Sequence, residues 1–229
     1  LNSLYPNIIA QWNMSPETVS MNGTNMSKAA NGVGFDNSRE GVFPKLVKQY
    51  YAERKDVKKQ MIEWQKEQQK GSTKEIEKQI ASLNNKQMAV KILMNSLFGA
   101  IGNKWYRYFD LRVAEGITLT GQHVIKTCEK AINEEMNKLL DTNADYVIAI
   151  DTDSIYVNFE KFVDKFNPKD PIKFLDESCN KHFSKVLEKT LADLFKEMNC
   201  FENRMVMERE VIADRGIWTA KKRYILNVH

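Results

Sequence analysis

The chain holds 229 residues, 42% of them apolar and 28% charged, with only 5 Pro and 10 Gly. That excludes collagen, low-complexity disorder and a disulfide scaffold, and is enough for one or two domains with a sizeable core. A formal net charge of +4 leans toward polyanionic partners, and no apolar run approaches the ~20 residues that span a bilayer.

In chain order, residues 1–19 open with the apolar stretch Leu4-Tyr5-Pro6-Asn7-Ile8-Ile9, where Pro6 argues against a regular central strand. Ser15-Pro16-Glu17 has the form of a helix start, Ser as cap and Pro at the first position. Residues 20–41, rich in Asn, Gly and Ser, read as an irregular loop. Across residues 43–70, Phe43, Leu46, Val47, Tyr50, Val57, Met61 and Trp64 recur at spacings of mostly three and four, which predicts a helix. Arg54 lies on that same stripe and Lys58 follows it by four; residues 44–70 carry eight Lys/Arg against four Asp/Glu. Gly71-Ser72-Thr73 breaks the pattern, and a second helix is expected from about Lys74 to Leu97, with Ile76, Ile80 and Leu83 on one face. Two long helices joined by a tight turn make an antiparallel helical hairpin.

Residues 111–140 form another long helical pattern. The period then changes: an apolar run at 147–150, Asp151-Thr152-Asp153, and a second run at 154–157 read as strand, tight turn, strand. Asn167-Pro168 and Asp170-Pro171 mark a turn before a helix at about 172–198. Residues 205–211 and 217–228 read as two more strands, with Asp214-Arg215-Gly216 between them. The sum is an α+β chain without internal repeats, its helical hairpin inserted into a layer made from both flanks. Both ends look cut, as in an internal fragment of a longer protein.

Three constellations carry chemistry. Asp151 and Asp153 are close enough to repel in a partly dry site, and a hard divalent cation with oxygen ligands removes the conflict; a solvated Asp-rich turn explains the pair as well. Lys91 and Asn95 share a helix face, with Phe98 and Gly99 a turn further on. Such a face suits a nucleotide's phosphate and base, or is simply a solvated basic face over a core Phe98. Lys221, Lys222, Arg223 and Tyr224 stand in a strand-like run, where paired cations meet successive phosphates or guard an exposed edge. His123, His182 and His229 stand near no ligand set. Trp12, Trp64, Trp105 and Trp218 are expected in the core. Cys128, Cys179 and Cys200 form no CxxC and read as small, partly buried side chains in a reducing compartment.

Order and spacing narrow the choice. Ser3-Leu4-Tyr5-Pro6-Asn7-Ile8-Ile9 resembles the S-L-Y-P-S-I-I segment of family B DNA polymerases, and residues 91–99 resemble their K-x3-N-S-x-Y-G helix. Asp151-Thr152-Asp153-Ser154 resembles their D-T-D-S hairpin, and Lys221-Lys222-Arg223-Tyr224 their K-K-R-Y strand. The segments between, such as Ser15-Pro16-Glu17-Thr18 and residues 105–112, look most like replicative polymerases of tailed bacteriophages. The resemblance covers essentially the whole chain. It implies a palm of mainly antiparallel sheet backed by helices, at 1–42 and 100–229, with an inserted fingers helical hairpin at 43–99.

The resemblance also implies roles. Asp151 and Asp153 look like the metal-site carboxylates, joined by the Leu4 backbone, for two Mg²⁺ ions with Mn²⁺ as a substitute. Arg54, Lys58 and Lys91, with Asn95, resemble the cations that grip the triphosphate. Ser3, Leu4 and Tyr5 meet the incoming nucleotide, Tyr5 as the gate against a 2′-hydroxyl. Phe98, Gly99, Lys221, Lys222, Arg223 and Tyr224 face DNA, and Glu210 is an accessory acid. The implied reaction is template-directed transfer from a dNTP to a primer 3′-hydroxyl, the fragment being expected inactive alone. A non-catalytic nucleic-acid-binding hairpin or a metal-dependent nuclease are the competing readings. The expected partners are primer-template DNA, dNTP and, for the full-length parent, a sliding clamp; the chain is expected to be monomeric, away from membranes, in the cytoplasm of an infected bacterial cell. Four departures stand out. The family's first metal aspartate would fall one residue before Leu1. Ala149-Ile150 replaces the Y-G ahead of D-T-D, Phe98 replaces Tyr, and Asn7 replaces Ser.

Overall fold

A computed structural model describes every residue except Asn2 and Lys221. The chain forms two compact units: Tyr5–Thr118 with Cys200–Glu202, and Leu1–Leu4 with Leu119–Asn199 and Asn203–His229. The mixed helical and antiparallel-sheet composition expected from the sequence is present.

The first unit, the helical-pair unit, takes in most of a short helix, α1 (Leu4–Gln11). Pro6 is tolerated because it stands in the first turn, where an N–H has no intrahelical partner. Ile8, Ile9 and Ala10 are wholly buried, as is Trp12 just beyond the helix, and the polar Asn7 and Gln11 are buried with them. Pro16–Thr18 is a single 3-10 turn rather than a full helix. Residues 20–41 depart from the expected irregular loop. Strands β1 (Val19–Ser20), β2 (Met26–Lys28) and β3 (Gly34–Asp36) form an antiparallel sheet in the order β1-β3-β2. Strands this short leave no hydrophobic period to read. The loop is ordered by buried Asn13, whose Nδ2 donates to the carbonyls of Asp36 (2.6 Å) and Arg39 (2.8 Å) while its Oδ1 accepts from the Gly41 N–H (2.8 Å).

The expected helical hairpin is present as α2 (Val42–Lys70) and α3 (Lys74–Ile101). Glu17 acts as a remote cap for α2, its Oε1 accepting from the Val42 N–H at 2.6 Å and its Oε2 from Ser15 Oγ at 2.6 Å. Thr73 caps α3 by accepting from the Ile76 N–H at 3.3 Å. Buried Val47, Val57, Val90 and Met94 carry the apolar stripe, and Lys86 pairs with Glu53 at 3.2 Å between the two helices.

Helix α4 (Leu111–Leu140) matches its expected span. In the second unit, the carboxylate unit, it buries Val124, Ile125, Cys128, Ile132 and Met136 at helical spacing. Strands β4 (Val147–Asp151) and β5 (Ser154–Val157) form the expected hairpin. A helix not anticipated, α5 (Glu160–Phe166), follows. The expected helix at 172–198 is two helices, α6 (Pro171–Ser178) and α7 (Ser184–Glu197), joined by a π turn at Cys179–Phe183. That wider turn accompanies the docking of Phe183 against Phe159 and Phe162, with ring centroids 5.3 and 5.7 Å apart.

Residues 205–211 are not a strand. Arg209 there pairs with Asp176 of α6, and Met205 is buried, so side-chain contacts stand in for a ladder. The chain's last strand pair, β6 (Ala213–Ala220) and β7 (Arg223–Val228), also revises the expectation. Asp214-Arg215-Gly216 lies within β6, and Lys222 stands in the turn that leads into β7. Asp214 accepts from Asn227 Nδ2 across the pair at 2.8 Å. Gly216 is required for close packing: a Cβ there would come within 2.6 Å of the Trp218 ring and 2.8 Å of Leu226.

Of the four tryptophans expected in the core, only Trp12 is buried; Trp64 (38% exposed), Trp218 (36%) and above all Trp105 (84%) are not. Lys104 lies over the Trp105 ring and Arg107 over Tyr108. Among the described residues, no helix is long and apolar enough to cross a membrane.

Candidate active site

In the carboxylate unit, Asp151 ends β4 and pairs with Ser154 at the start of β5, leaving Thr152 and Asp153 as the turn. The Asp153 N–H donates to the Asp151 carbonyl at 2.5 Å, the pattern of a γ-turn centred on Thr152, whose φ is 53°. A β-branched residue in that region is strained. Ser154 Oγ donates to the Asp151 carbonyl at 3.2 Å, and Thr152 Oγ1 to the Asp151 carboxylate at 3.2 Å.

The tip opens on a cavity of about 480 Å³ lined by Asp151, Asp153, Tyr156, Glu210, Lys222 and Tyr224, with Leu1, Thr152 and Ser154 completing the wall. The sequence-predicted metal-site carboxylates, the accessory acid and two residues of the basic strand therefore meet in one place. Lys222 stands at the β6–β7 turn with φ 62° and brings its ammonium to 3.8 Å from Asp151 Oδ1. It is thus a turn residue rather than part of the expected strand-like run. The expected Lys221 contact falls outside the described residues. Arg223 opens β7 and is exposed.

Beneath the cavity, Tyr156 of β5 meets Trp218 of β6 (5.5 Å) and Tyr224 of β7 (5.2 Å) edge-on. Burial and a hydrogen bond with Tyr224 push the Tyr156 hydroxyl's pKa up. These rings tie the acidic hairpin to the basic one. Sequence reasoning missed Tyr156, although its place two residues past Ser154 puts both on one strand face.

The donor set fits a hard cation: carboxylate and carbonyl oxygens with no sulfur or imidazole, beside an ammonium that already answers the negative charge. Among the described residues, no three His, Cys, Asp or Glu side chains form a ready cluster.

The other predicted residues belong to the helical-pair unit, apart from Ser3 and Leu4, which precede it at the start of α1. Leu4 is buried, and Ser3 is half-buried with φ 47°. Tyr5 stacks on Phe98, with ring centroids 4.4 Å apart and planes 27° apart, so the proposed gate and the aromatic of the second long helix form one platform. Gly99 follows, and a Cβ there would meet nothing within 4 Å, which leaves the platform's edge open. Lys91 and Asn95 are exposed one turn apart on α3, and Lys58 is exposed on α2. Arg54 is half-buried, its Nε donating to Gln87 Oε1 at 3.3 Å. Of the histidines, His182 bonds Glu135 at 2.8 Å and His229 lies 3.5 Å from Asp214.

The sequence pattern of DNA polymerase family B matches residues 1–227. The chain is 33% identical to the DNA-directed DNA polymerase of Enterobacteria phage T4 over 302 aligned positions, covering 100% of this chain and 34% of that protein. It is 30% identical to the DNA-directed DNA polymerase of Escherichia phage RB69, covering 100% of this chain and 33% of that one. A DNA polymerase of Thermococcus gorgonarius is 32% identical over 74% of this chain and 22% of its own length. The chain thus spans about a third of the phage relatives' length. Matched almost end to end, with the acidic hairpin and the basic turn meeting in one cavity, the chain belongs to DNA polymerase family B.

Proposed function

We infer that this chain carries the nucleotidyl-transfer centre of a template-directed DNA polymerase, with palm at 1–42 and 100–229 and fingers at 43–99. The observation that carries the reading is the convergence of Asp151, Asp153, Glu210 and Lys222 on one cavity in a family B chain.

Asp151 and Asp153 hold the hard cations, Mg²⁺ or its substitute Mn²⁺, which when bound supply an activated attacking oxygen and charge neutralisation at the leaving pyrophosphate. Arg54, Lys58 and Lys91 bind the dNTP's triphosphate by charge and hydrogen bonding, with Asn95 beside them. The Tyr5–Phe98 stack holds the Tyr5 ring against the sugar and leaves no room for a 2′-hydroxyl. Lys222 and Arg223 meet primer phosphates, and the Tyr156–Tyr224 contact keeps that turn in register with the acidic one. Sequence is read by base pairing, so protein contacts fall mainly on the backbone and weaken with salt. Primer-template DNA and dNTPs are the substrates of the whole polymerase, a sliding clamp its expected partner, and the bacterial cytoplasm its place of work.

The test is Asp153→Asn in the polymerase that carries this sequence. Primer extension should fall at least about a thousandfold, with primer-template affinity within about twofold of wild type. Extension at the wild-type rate would refute the metal role. Tyr5→Ala should lower discrimination against ribonucleotides by about a hundredfold or more in the ratio of kcat/KM values; an unchanged ratio would remove Tyr5 from the sugar site.

A further inference from the structure

Gln87 is an anomaly on α3. Residues 84–86 and 88–89 are all exposed, yet Gln87 is only 6% exposed. A buried amide costs stability unless its donors and acceptors are used. Here they are used in a definite sense. Nε2 donates to Asn84 Oδ1 at 3.0 Å, which turns Oε1 toward α2, and Oε1 accepts from Arg54 Nε at 3.3 Å. Engaging Nε fixes the plane of the guanidinium and leaves the N–H groups on its two terminal nitrogens, the fork that matches a phosphate.

The neighbouring positions explain why the partner is an amide. Glu53, which precedes Arg54 on α2, is paired with Lys86, the residue before Gln87. Two adjacent rungs therefore cross the helical pair: an ion pair at Glu53–Lys86 and a hydrogen bond from the Arg54 cation to the neutral Gln87 amide. The first pins the register. The second orients a cation without cancelling its charge.

We propose that Gln87 is the positioning residue of Arg54, a neutral buried acceptor that aims the guanidinium at the triphosphate while leaving its full charge to the nucleotide. This rests on the reading of Arg54 as a triphosphate contact. The experiment is a double-mutant cycle in the polymerase that carries this sequence, reading dNTP KM, kcat, primer-template affinity and melting temperature for Gln87→Met, Arg54→Ala and the pair. Gln87→Met should raise dNTP KM about tenfold, as expected for loss of a hydrogen bond to a charged group, with primer-template affinity unchanged. In the Arg54→Ala background the same substitution should add less than about twofold. Gln87→Glu keeps an acceptor but cancels the charge, so it should fold as wild type and still raise KM. An equal effect of Gln87→Met in both backgrounds would mean general packing and overturn the proposal, as would a wild-type KM in Gln87→Glu. If Arg54→Ala raises KM and Gln87→Met does not, the positioning role alone falls. If Arg54→Ala leaves KM unchanged, the triphosphate reading of Arg54 falls and this role with it.

Discussion

Thr152 concentrates the residue-scale physics of the carboxylate site. With φ at 53° and an Asp153-to-Asp151 hydrogen bond across it, it holds two acidic side chains on a turn that a β-branched residue disfavours. Thr152→Gly should relieve that strain, with a stability gain below about 1 kcal/mol because glycine also loses more chain entropy on folding. Thermal melts check this, and a clear loss of stability would show that the Thr152 hydroxyl matters more than its backbone. The place of Asp151 and Asp153 at a hairpin tip was legible in the sequence because it depends on two neighbouring residues and the apolar runs around them. Gln87 was not, because one amide among the polar residues of α3 is distinguished only once α2 lies against it. Lys222 was misjudged for a related reason: a continuous strand-like run was read where the chain turns back at that residue.

At the scale of elements, helix starts carry much of the specificity. Glu17 accepts from the first N–H of α2, and Asp110 accepts from the Arg112 N–H at 3.0 Å, Arg112 Nε at 3.1 Å and Arg112 Nη2 at 2.7 Å at the start of α4. Burial works to raise the Glu17 pKa, but the Ser15 and Val42 hydrogen bonds outweigh it and hold it below its ordinary value of 4.5. The hydrogen bond from Arg112 holds Asp110 below its ordinary 3.8. Both groups are depressed in the fold, so their stabilisation is complete above the unfolded values and disappears as pH falls through the folded ones. Replacing both by their amides should cost about 1 kcal/mol at pH 7, a modest figure because both sites are partly solvated. The difference from wild type should shrink as pH falls below the ordinary values of the two carboxyls. Equal destabilisation at pH 7 and pH 3, followed by circular dichroism, would contradict the assignment. The long helices were legible from their period. The small sheet at 19–36 was not, since a buried polar hub at Asn13 orders it. Nor was the π turn, which one-dimensional periodicity reads as unbroken helix.

For the molecule as a whole, the three thiols report on burial. Cys128, Cys179 and Cys200 are unpaired, and burial pushes their pKa values up to about 12, about 11 and about 12. Thiolate is the reactive form, so iodoacetamide at pH 7.5 should label none of them appreciably until denaturant is added, after which all three react. Mass spectrometry of the native protein would detect any exception. The order of the four motifs made the family legible, but the division into two units was not, because α4 runs unbroken through a boundary near Thr118. The Lys222–Asp151 contact bears on handling in solution. A tip that carries its own counter-ion does not depend on dissolved salts for its shape, so dialysis against a chelator should leave the melting curve in place. On the proposed metal role, a divalent ion arriving at Asp151 would have to displace this amine, and Lys222→Met should accordingly tighten manganese binding, seen as a loss of the free-ion signal in electron paramagnetic resonance at lower protein concentrations.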